Sequence, residues 1–507
     1  MQDVSIPAAV NFADVVRRAA AARGACPALR SHDAELTWAE LDRQVDAVAA
    51  GLGALGLPAD EHGRPRVVIA LPNVPEFAAV FFGVLRAGLV AVPVNPAYTT
   101  RELAHTVADS GAAVIVATGP VLEALGDSAP AVRYRLGSSL GGLLSGPAPI
   151  SQAPAAGGSE DLAVLLYTSG TAGAPKGAML PHRALLANHE QLARIEPAPV
   201  TPDDVLLLAV PLFHAYGLNS GLGAVAFHGA CGVLVERFDP ADSLEAIERH
   251  GVTGVVGVPP MYVAWSLMGE RLARAWSGVR LAVCGASPLD PAAERRFAEA
   301  TGHAVHQGYG LTEAAPVVTS TLAAPAIKPG SIGRPIPGVG LRLVDAGGED
   351  VQEDEDDGTR DPGEIVVRGE NLFRGYWPGA ADGPGPDGWW ATGDVAYADE
   401  DGDLFIVDRL GELILVSGFN VYPHEVESVL AAHGSVVEAA ALGVPHPYTG
   451  QTVKALVVRV PGSQVTAEEL IAHCERNLAR FKCPTAVEFV AQLPHSATGK
   501  IRKGVLR

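Results

Sequence analysis

The chain has 507 residues, with 57 acidic and 37 basic side chains and a formal net charge of −20 at pH 7. This acidic surplus argues against nucleic acid or an anionic membrane as the main partner. With 48% hydrophobic and 19% charged residues the composition excludes global disorder, and the length predicts about three domains with sizeable cores.

Short apolar, β-branched runs alternate with amphipathic stretches in two blocks of the chain. The first block predicts, in order, strand 66–71, helix 76–87, strand 89–94, helix 101–110 and strand 112–117. A low-complexity connector follows at 138–160. The second block predicts strand 205–210, a helical region 218–228, strand 232–236, helix 243–250 and strands 253–258 and 279–286. This alternation is typical of parallel sheets covered by helices.

After about residue 331 the pattern changes to shorter strands separated by turns, which indicates a β-rich unit. The acidic run 349–361 is typical of a solvated loop. The last hundred or so residues follow the order helix, strand, strand, helix, strand. We therefore predict an α/β fold: a large N-terminal domain of two parallel-sheet α/β subdomains and a β-rich subdomain, with a small α+β C-terminal domain.

The five cysteines are odd in number and form no CxxC pair, so reduced thiols and a cytoplasmic location are expected. The N-terminus lacks the charged start and apolar stretch of a signal peptide. The uncharged stretch 205–235 is long enough to cross a bilayer, but Pro211, His214, Asn219 and several glycines interrupt it. We predict that it forms a buried strand, helix and strand, and that the chain has no transmembrane segment.

The strongest local signal is LLYTSGTAGAPKGAML, residues 165–180. Its glycines allow backbone N–H groups to approach an anion, while its hydroxyls and its lysine add donors and positive charge. The composition predicts a phosphate-binding loop rather than a solvent loop. It is not the GxxxxGK[ST] loop, because Pro175 stands where that motif needs its second glycine.

Four further segments follow in order: HQGYGLTEAAPVV, WWATGDVAYAD, IVDRLGELILVSGFNVYPHEVE and LPHSATGKIRKGVLR. Together with the phosphate-binding segment, they resemble the motifs of the adenylate-forming superfamily of acyl-CoA synthetases, adenylation domains and beetle luciferases. The resemblance covers nearly the whole chain. It is strongest for bacterial fatty acyl-CoA synthetases.

The resemblance implies an AMP-forming acyl-CoA synthetase with ATP and CoA as co-substrates and Mg²⁺ as cofactor. The carboxylate of the acid attacks the α-phosphate of ATP to give acyl-AMP and pyrophosphate, and the thiol of CoA then displaces AMP. Positioning and charge neutralisation drive such chemistry, so the protein needs no nucleophile of its own.

The resemblance assigns catalytic roles to Thr168, Lys176, Glu313 and Lys500, with Glu313 holding Mg²⁺. Lys500 is implied to bridge the carboxylate and the α-phosphate during adenylation. Taken alone, each segment has a plainer interpretation, such as a helix start at Thr312 or a solvated basic tail at Lys500. The residues implied to bind ATP or AMP are Thr168, Ser169, Gly170, Thr171, Gly173, Lys176, Gly285, Ala286, Ser287, Gln307, Gly308, Tyr309, Gly310, Thr312, Asp394, Ile406, Arg409 and Lys500.

By the same resemblance, residues 1–408 form the adenylate-forming domain, and residues 409–507 form a mobile C-terminal domain that rotates about a hinge near 408–412. Family members usually carry Asp or Lys at the hinge position, where this chain has Gly411. Glycine permits wide φ/ψ freedom, so rotation is expected. Ser417, Gly418 and Phe419 are implied to border the CoA channel.

The implied acyl pocket consists of small or apolar residues and one histidine: His214, Gly217, Val258, Pro259, Gly310 and Leu311. These segments contain no Arg or Lys to pair a second carboxylate and no Asp to anchor an amino group, which disfavours dicarboxylic and amino acids. We predict a medium- or long-chain fatty acid as substrate.

Several alternatives stay open. An aryl or arylpropenoic acid is the second choice of substrate. The chain could instead be an acyl-AMP ligase that loads a carrier protein, and a luciferase-type oxygenase or a non-catalytic nucleotide-binding protein is disfavoured. The sequence leaves a homodimer open.

Overall fold

The computed structural model describes residues 10–32, 34–129, 132–137, 157–168, 175–351, 361–417, 419–495 and 501–506. The described residues fall into two compact units, which divide the chain near residues 340, 367 and 388. The first unit comprises residues up to 340 and residues 368–388; the second comprises 341–367 and residues from 389 onward. Among the described helices, none combines the length and the apolar character that a membrane crossing requires.

The first unit contains two sheets and the helices that cover them. Its strands are β1 (Pro27–Arg30), β2 (Glu35–Thr37), β3 (Arg66–Ala70), β4 (Val90–Pro93), β5 (Val114–Ala117), β6 (Tyr134–Gly137), β7 (Leu162–Thr168), β8 (Lys176–Pro181), β9 (Val205–Leu208), β10 (Cys231–Leu234), β11 (Gly254–Gly257), β12 (Leu281–Cys284), β13 (His306–Gly310), β14 (Val317–Ser320) and β15 (Arg334–Pro335). Its α-helices are α1 (Asp14–Arg23), α2 (Trp38–Ala54), α3 (Pro75–Arg86), α4 (Thr100–Ser110), α5 (Gly119–Leu125), α6 (His182–Leu192), α7 (Ala224–His228), α8 (Pro240–His250), α9 (Pro259–Ser266), α10 (Glu270–Ala275) and α11 (Pro291–Thr301).

The first sheet has the strand order β6-β5-β3-β4-β7-β8. Its neighbours are parallel except β7 and β8, which form an antiparallel pair. Strands β3, β4 and β5 are buried throughout, as expected where helices cover both faces of a sheet. Helix α4 begins at a capping box in which Thr99 and Glu102 satisfy each other's backbone N–H groups.

The second sheet has the order β15-β14-β13-β12-β11-β9-β10-β1-β2. Its central strands from β13 to β1 are parallel, and antiparallel strands flank them on both sides. Its core contains an aromatic cluster in which ring centroids lie 4.7–6.2 Å apart; the members are Tyr262, Trp265, Trp276 and Phe297. Such edge-to-face packing stabilises aromatic pairs beyond the area they bury.

The second unit contains an antiparallel four-stranded sheet and an α+β portion. The four-stranded sheet consists of β16 (Gly340–Val344), β17 (Gly363–Arg368), β18 (Trp390–Ala398) and β19 (Leu404–Arg409). The α+β portion consists of β20 (Ile414–Val416), β21 (Phe419–Val421), α12 (Pro423–Ala431), β22 (Val436–His446), β23 (Gly450–Arg459), α13 (Ala467–Asn477) and β24 (Ala486–Phe489).

The structure confirms the α/β fold and the two parallel-sheet blocks. The helical region expected at 218–228 starts earlier, as a π-helix at Tyr216–Gly223 that continues into α7. Most of the predicted connector at 138–160 and of the acidic run at 349–361 lies outside the described residues. The domain boundary at residue 408 stays a prediction.

Candidate functional site

A cavity lies at the carboxyl edge of the second sheet, where β11, β12 and β13 end. Open α/β sheets bind ligands at this edge because successive strand ends leave a crevice there. The cavity holds about 980 Å³ of space, its open mouth included, and apolar atoms make up most of its wall. Because His214, Gly310 and Leu311 of the predicted acyl pocket line it, we call it the acyl cavity.

Several of the residues that the sequence singled out line the acyl cavity: His214, Gly285, Ala286, Gly308, Tyr309, Gly310, Leu311 and Thr312. Five others, all within the described part of the chain, do not line it: Gly217, Val258, Pro259, Ser287 and Gln307. The Gln307 side chain instead accepts a hydrogen bond from the Leu289 N–H at 3.2 Å. The structure thus brings segments predicted to bind the nucleotide and segments predicted to bind the acyl group together in one wall.

Two of the wall glycines permit close approaches that a larger residue would block. A Cβ on Gly310 would lie 2.2 Å from the carbonyl oxygen of Pro316, and one on Gly285 would lie 2.9 Å from Cζ of Tyr216. Both distances are shorter than real Cβ contacts, so these positions keep the strand ends close to their neighbours.

The π-helix contributes two hydroxyl-bearing residues to the wall of the acyl cavity, Tyr216 and Ser220. Both oxygens are buried, and neither has a hydrogen-bond partner among the described residues. Burial raises the pKa of Tyr216 well above its usual value, so the phenol keeps its proton. An unpaired buried hydroxyl costs free energy that a bound ligand can recover.

His189 of α6 also belongs to the cavity wall and is fully buried. Its ring stacks between Phe12 and Phe227, with centroids 5.8 and 5.1 Å away, and its Nε2 lies 3.0 Å from Oδ1 of Asn219. Burial lowers the pKa of His189 to about 3, so this side of the wall is polar but uncharged at neutral pH. The sequence did not single out Tyr216, Ser220 or His189, because an unpartnered hydroxyl or a buried imidazole has no signature in the sequence.

The ends of the phosphate-binding segment are held by the β7–β8 pair. Thr168 lies opposite Lys176 in the register, and its hydroxyl donates to the Lys176 carbonyl at 3.4 Å. The ammonium of Lys176 lies 3.2 Å from a carboxylate oxygen of Asp382. The other predicted phosphate-binding residues, Ser169, Gly170, Thr171 and Gly173, lie outside the described residues.

Glu313 lies in a short 3₁₀ turn, Thr312–Ala314, directly after β13, and is 8% exposed. Its Oε1 accepts a hydrogen bond from the Tyr376 hydroxyl at 2.6 Å. The Tyr376 ring centroid in turn lies 4.9 Å from the Lys176 ammonium. A carboxylate held beside a lysine suits a divalent cation that carries phosphates, so Glu313 fits the Mg²⁺ site that the sequence predicts.

The second unit carries the remaining described candidates. Asp394 is buried on β18 and pairs in register with Arg409 of β19. Ile406 lies on β19 opposite Ala396. Gly411 lies in a 3₁₀ turn, Leu410–Glu412, next to the predicted hinge.

The remaining candidates are the three residues predicted to contact CoA and the lysine predicted to be catalytic. Ser417 has a positive φ of 52°, and Phe419 begins β21. Gly418 and Lys500 lie outside the described residues. The roles of all these residues remain predictions.

All five cysteines are free, and four of them are buried. Cys284 lies in the wall of the acyl cavity, where burial raises the pKa of its thiol strongly. Burial also raises the pKa of Cys231 and of Cys474 to about 11. A buried, protonated thiol is a poor nucleophile.

The α/β fold, with a cavity at the carboxyl ends of its strands, defines a ligand-binding enzyme architecture, and comparison with known proteins identifies the family. Residues 16–377 match the model of the AMP-binding enzyme family, and residues 425–500 match that of the AMP-binding enzyme C-terminal domain. The chain belongs to the AMP-binding enzyme family.

Curated relatives extend this assignment. The chain is 36% identical to a long-chain-fatty-acid–CoA ligase of Yersinia pestis, over 95% of this chain and 91% of that protein. It is 38% identical to a feruloyl-CoA synthase of an Amycolatopsis species, over 95% of each chain.

Solved structures agree with the fold. The crystal structure of ATP-bound MatB from Rhodopseudomonas palustris superposes on this chain with a TM-score of 0.88 at 33% identity, over 98% of both chains. The o-succinylbenzoate CoA synthetase MenE of Bacillus subtilis, in complex with ATP and magnesium ion, has a TM-score of 0.85 at 27% identity, over 96% of this chain and 98% of that one.

These findings confirm the predicted AMP-forming acyl-CoA synthetase. Its substrates are a small-molecule carboxylic acid, ATP and CoA, and the reaction proceeds through an acyl-AMP intermediate.

Proposed function

We propose that the acid is an aromatic acid with an oxygen substituent, of the arylpropenoic type, which is the second choice of the sequence analysis. The observation that carries this proposal is that Tyr216 and Ser220, two residues of a mostly apolar wall, each have a buried hydroxyl with no partner among the described residues. A ring hydroxyl or methoxy group can pair with them. A plain alkyl chain leaves them unpaired, at a cost of about 1–3 kcal/mol for each group.

A medium- or long-chain fatty acid is the second candidate. It is favoured by the apolar side chains of the wall, among them Leu192, Val200 and Leu281, and by the similarity to the Yersinia ligase. The same wall accepts an aromatic ring equally well, and the Amycolatopsis relative is named for an aromatic acid. Hydrophobic burial therefore does not separate the two acids, and the support for the aromatic acid comes from the two hydroxyls.

In the proposed adenylation step, a carboxylate oxygen of the acid bonds to the α-phosphorus of ATP while the bond to pyrophosphate breaks. Lys176 and Thr168 hold the β- and γ-phosphates, Thr312 contacts phosphate, and Tyr309 lies against adenine. Glu313 would hold Mg²⁺, which supplies positive charge that offsets the charge of the phosphates when it is bound. Its carboxylate is already oriented by Tyr376.

The second unit supplies the ribose contacts and the second half-reaction in this proposal. Asp394 accepts hydrogen bonds from the ribose hydroxyls, and Arg409 assists there. Lys500 bridges the carboxylate and the α-phosphate. Rotation of residues 409–507 about Gly411 then brings Ser417, Gly418 and Phe419 to CoA, whose sulfur bonds to the acyl carbon as the bond to AMP breaks.

The proposed role of Lys500 has a direct test in the Lys500→Ala variant. We expect the acid-dependent exchange of pyrophosphate into ATP to fall by orders of magnitude, because a preorganised charge partner is lost. Thioester formation from supplied acyl-AMP should stay near the wild-type rate. Equal losses in both half-reactions would contradict the role.

The identity of the acid is tested by measuring CoA-dependent AMP release with a panel of carboxylic acids. Coumarate and cinnamate differ only in the ring hydroxyl, and saturated chains of rising length test the fatty-acid candidate. We expect kcat/KM to be highest for an oxygenated aromatic acid, with coumarate at least about tenfold above cinnamate. A maximum at an alkanoate, or cinnamate equal to coumarate, overturns the proposal.

The same assay addresses the carrier-loading alternative. A free acyl-CoA ligase releases one AMP for each thioester formed on CoA. An acyl-AMP ligase that loads a carrier protein would accumulate acyl-AMP and yield no thioester with CoA.

A further inference from the structure

The segment 373–377 runs alongside β8 and is attached to it through the backbone. The Arg374 N–H donates to the Met179 carbonyl at 2.9 Å, and the Met179 N–H donates to the Gly375 carbonyl at 3.1 Å. The Trp377 N–H donates to the Gly177 carbonyl at 2.8 Å. Three hydrogen bonds on both sides of Tyr376 therefore fix its backbone beside the strand that begins with Lys176.

The same segment holds Glu313 at two places. The Phe373 N–H donates to the backbone carbonyl of Glu313 at 2.8 Å, and the Tyr376 hydroxyl donates to the carboxylate Oε1 at 2.6 Å. The ring of Phe373 packs edge-to-face against that of Tyr376, with centroids 5.1 Å apart. The direction of the phenol is therefore set by packing as well as by the hydrogen bond.

Tyr376 contacts Lys176 through a different part of the side chain. The Lys176 ammonium lies over the Tyr376 ring, 4.9 Å from its centroid, in cation–π geometry. The Tyr376 side chain thus contacts Lys176 through the face of its ring and Glu313 through its hydroxyl. The two groups come from segments more than a hundred residues apart in the chain, and Tyr376 follows Glu313 by a further 63 residues.

We propose that Tyr376 is a positioning residue, which fixes the plane of the Glu313 carboxylate for the divalent cation and its distance from Lys176. This inference rests on the proposed role of Glu313. A hydrogen bond to a ligand carboxylate restricts its rotation, and loss of such a partner typically weakens metal binding by about 10–100-fold.

The test is the Tyr376→Phe variant, which removes the hydroxyl and keeps the ring over Lys176. Binding of Mn²⁺ to the protein–ATP complex is measured by electron paramagnetic resonance, without acid, so that no turnover occurs. We expect the dissociation constant for Mn²⁺ to rise about tenfold. Binding of ATP in the presence of EDTA should not change. Tyr397→Phe, which removes a hydroxyl from a ring stacked on Phe405 in the second unit, is the matched control.

A double-mutant cycle with Glu313→Gln separates positioning from a general structural effect. If Tyr376 acts through Glu313, Tyr376→Phe has no further effect on Mn²⁺ affinity in the Glu313→Gln background. Additive effects, or wild-type affinity in Tyr376→Phe, overturn the proposal. Wild-type affinity in Glu313→Gln would instead refute the metal role of Glu313. The preference for an acid, measured by AMP release, is independent of both outcomes.

Discussion

The polar groups of the acyl cavity and of the phosphate region differ in whether they have protein partners. We define the phosphate region as Thr168, Lys176, Glu313, Tyr376 and Asp382. In the phosphate region the charged groups already have protein partners: Lys176 has Asp382, and Glu313 has Tyr376. In the acyl cavity, two buried hydroxyls have none among the described residues. Under the proposed function, ATP exchanges partners with groups that are already satisfied, whereas the acid supplies a partner that the fold leaves out.

The largest expected effect comes from Lys176→Ala in the phosphate region. Removal of the cation should lower the acid-dependent exchange of pyrophosphate into ATP by about 100-fold or more, because a charged donor in a phosphate site is lost. Lys454→Ala, which breaks an ion pair with Glu488 in the second unit, is the control for charge alone. Equal rates in both variants would show that Lys176 does not serve the phosphates.

The neutral polar wall of the acyl cavity predicts a pH effect on stability. His189 has its pKa lowered to about 3 by burial, so only the unfolded state takes up a proton between pH 6.5 and 3. Stability is therefore lost as the pH falls, by about 2 kcal/mol from this residue between pH 7 and 5.

The contribution of His189 is measured by urea unfolding of the wild type and of His189→Gln, each at the two pH values given above. The variant has no titrating group at this position, so its free energy of unfolding should fall by less. An identical pH dependence in the two proteins would mean that the cavity wall is not kept neutral at His189.

A smaller effect is expected when a paired and an unpaired hydroxyl of the cavity region are removed in turn. Tyr216→Phe removes an unpartnered hydroxyl, so the free energy of unfolding should stay the same or rise. Its selectivity for coumarate over cinnamate should fall about tenfold. The matched control is Tyr262→Phe, because the Tyr262 hydroxyl donates to the Val283 carbonyl at 2.9 Å.

The control variant should lose about 1 kcal/mol of stability and keep the selectivity of the wild type. Thermal unfolding and AMP release test both expectations. If Tyr216→Phe were the less stable variant, the hydroxyl would have a partner in the folded protein.

The smallest effect concerns the partner exchange at Lys176. Asp382→Asn removes the competing carboxylate, and asparagine tolerates the positive φ of 55° at this position. An exposed ion pair contributes about 1 kcal/mol or less, so the KM for ATP should fall by about two- to fivefold with kcat unchanged. A higher KM would indicate that Asp382 helps to orient Lys176 rather than competing with ATP.

The fold could be predicted from the sequence wherever a segment has one clear hydrophobic pattern. The runs around Val67 and Ile115 are continuously apolar, and they became buried parallel strands. The segment around Tyr216 was harder, because its glycines and apolar residues fit several backbone forms, and a π-helix has no period that a short window can detect.

The candidate site was predictable only where residues stand in motifs. Glu313 and Lys176 could be chosen because each lies in a segment of unusual composition. Tyr376 could not, because its proposed role depends on its backbone hydrogen bonds to β8 and its contact with Glu313, not on its neighbours in sequence. Tyr216 was missed for a similar reason: only the three-dimensional structure reveals that its hydroxyl is unpaired.

The buried cysteines have a consequence for an enzyme whose co-substrate is itself a thiol. CoA brings a sulfur nucleophile to an activated acyl group, and any protein thiolate nearby would compete for that group. Burial raises the pKa of Cys231, Cys284, Cys474 and Cys483, which keeps these sulfurs protonated at neutral pH. The thiol of Cys284, which lies in the cavity wall, is therefore a poor competitor of CoA for the acyl group.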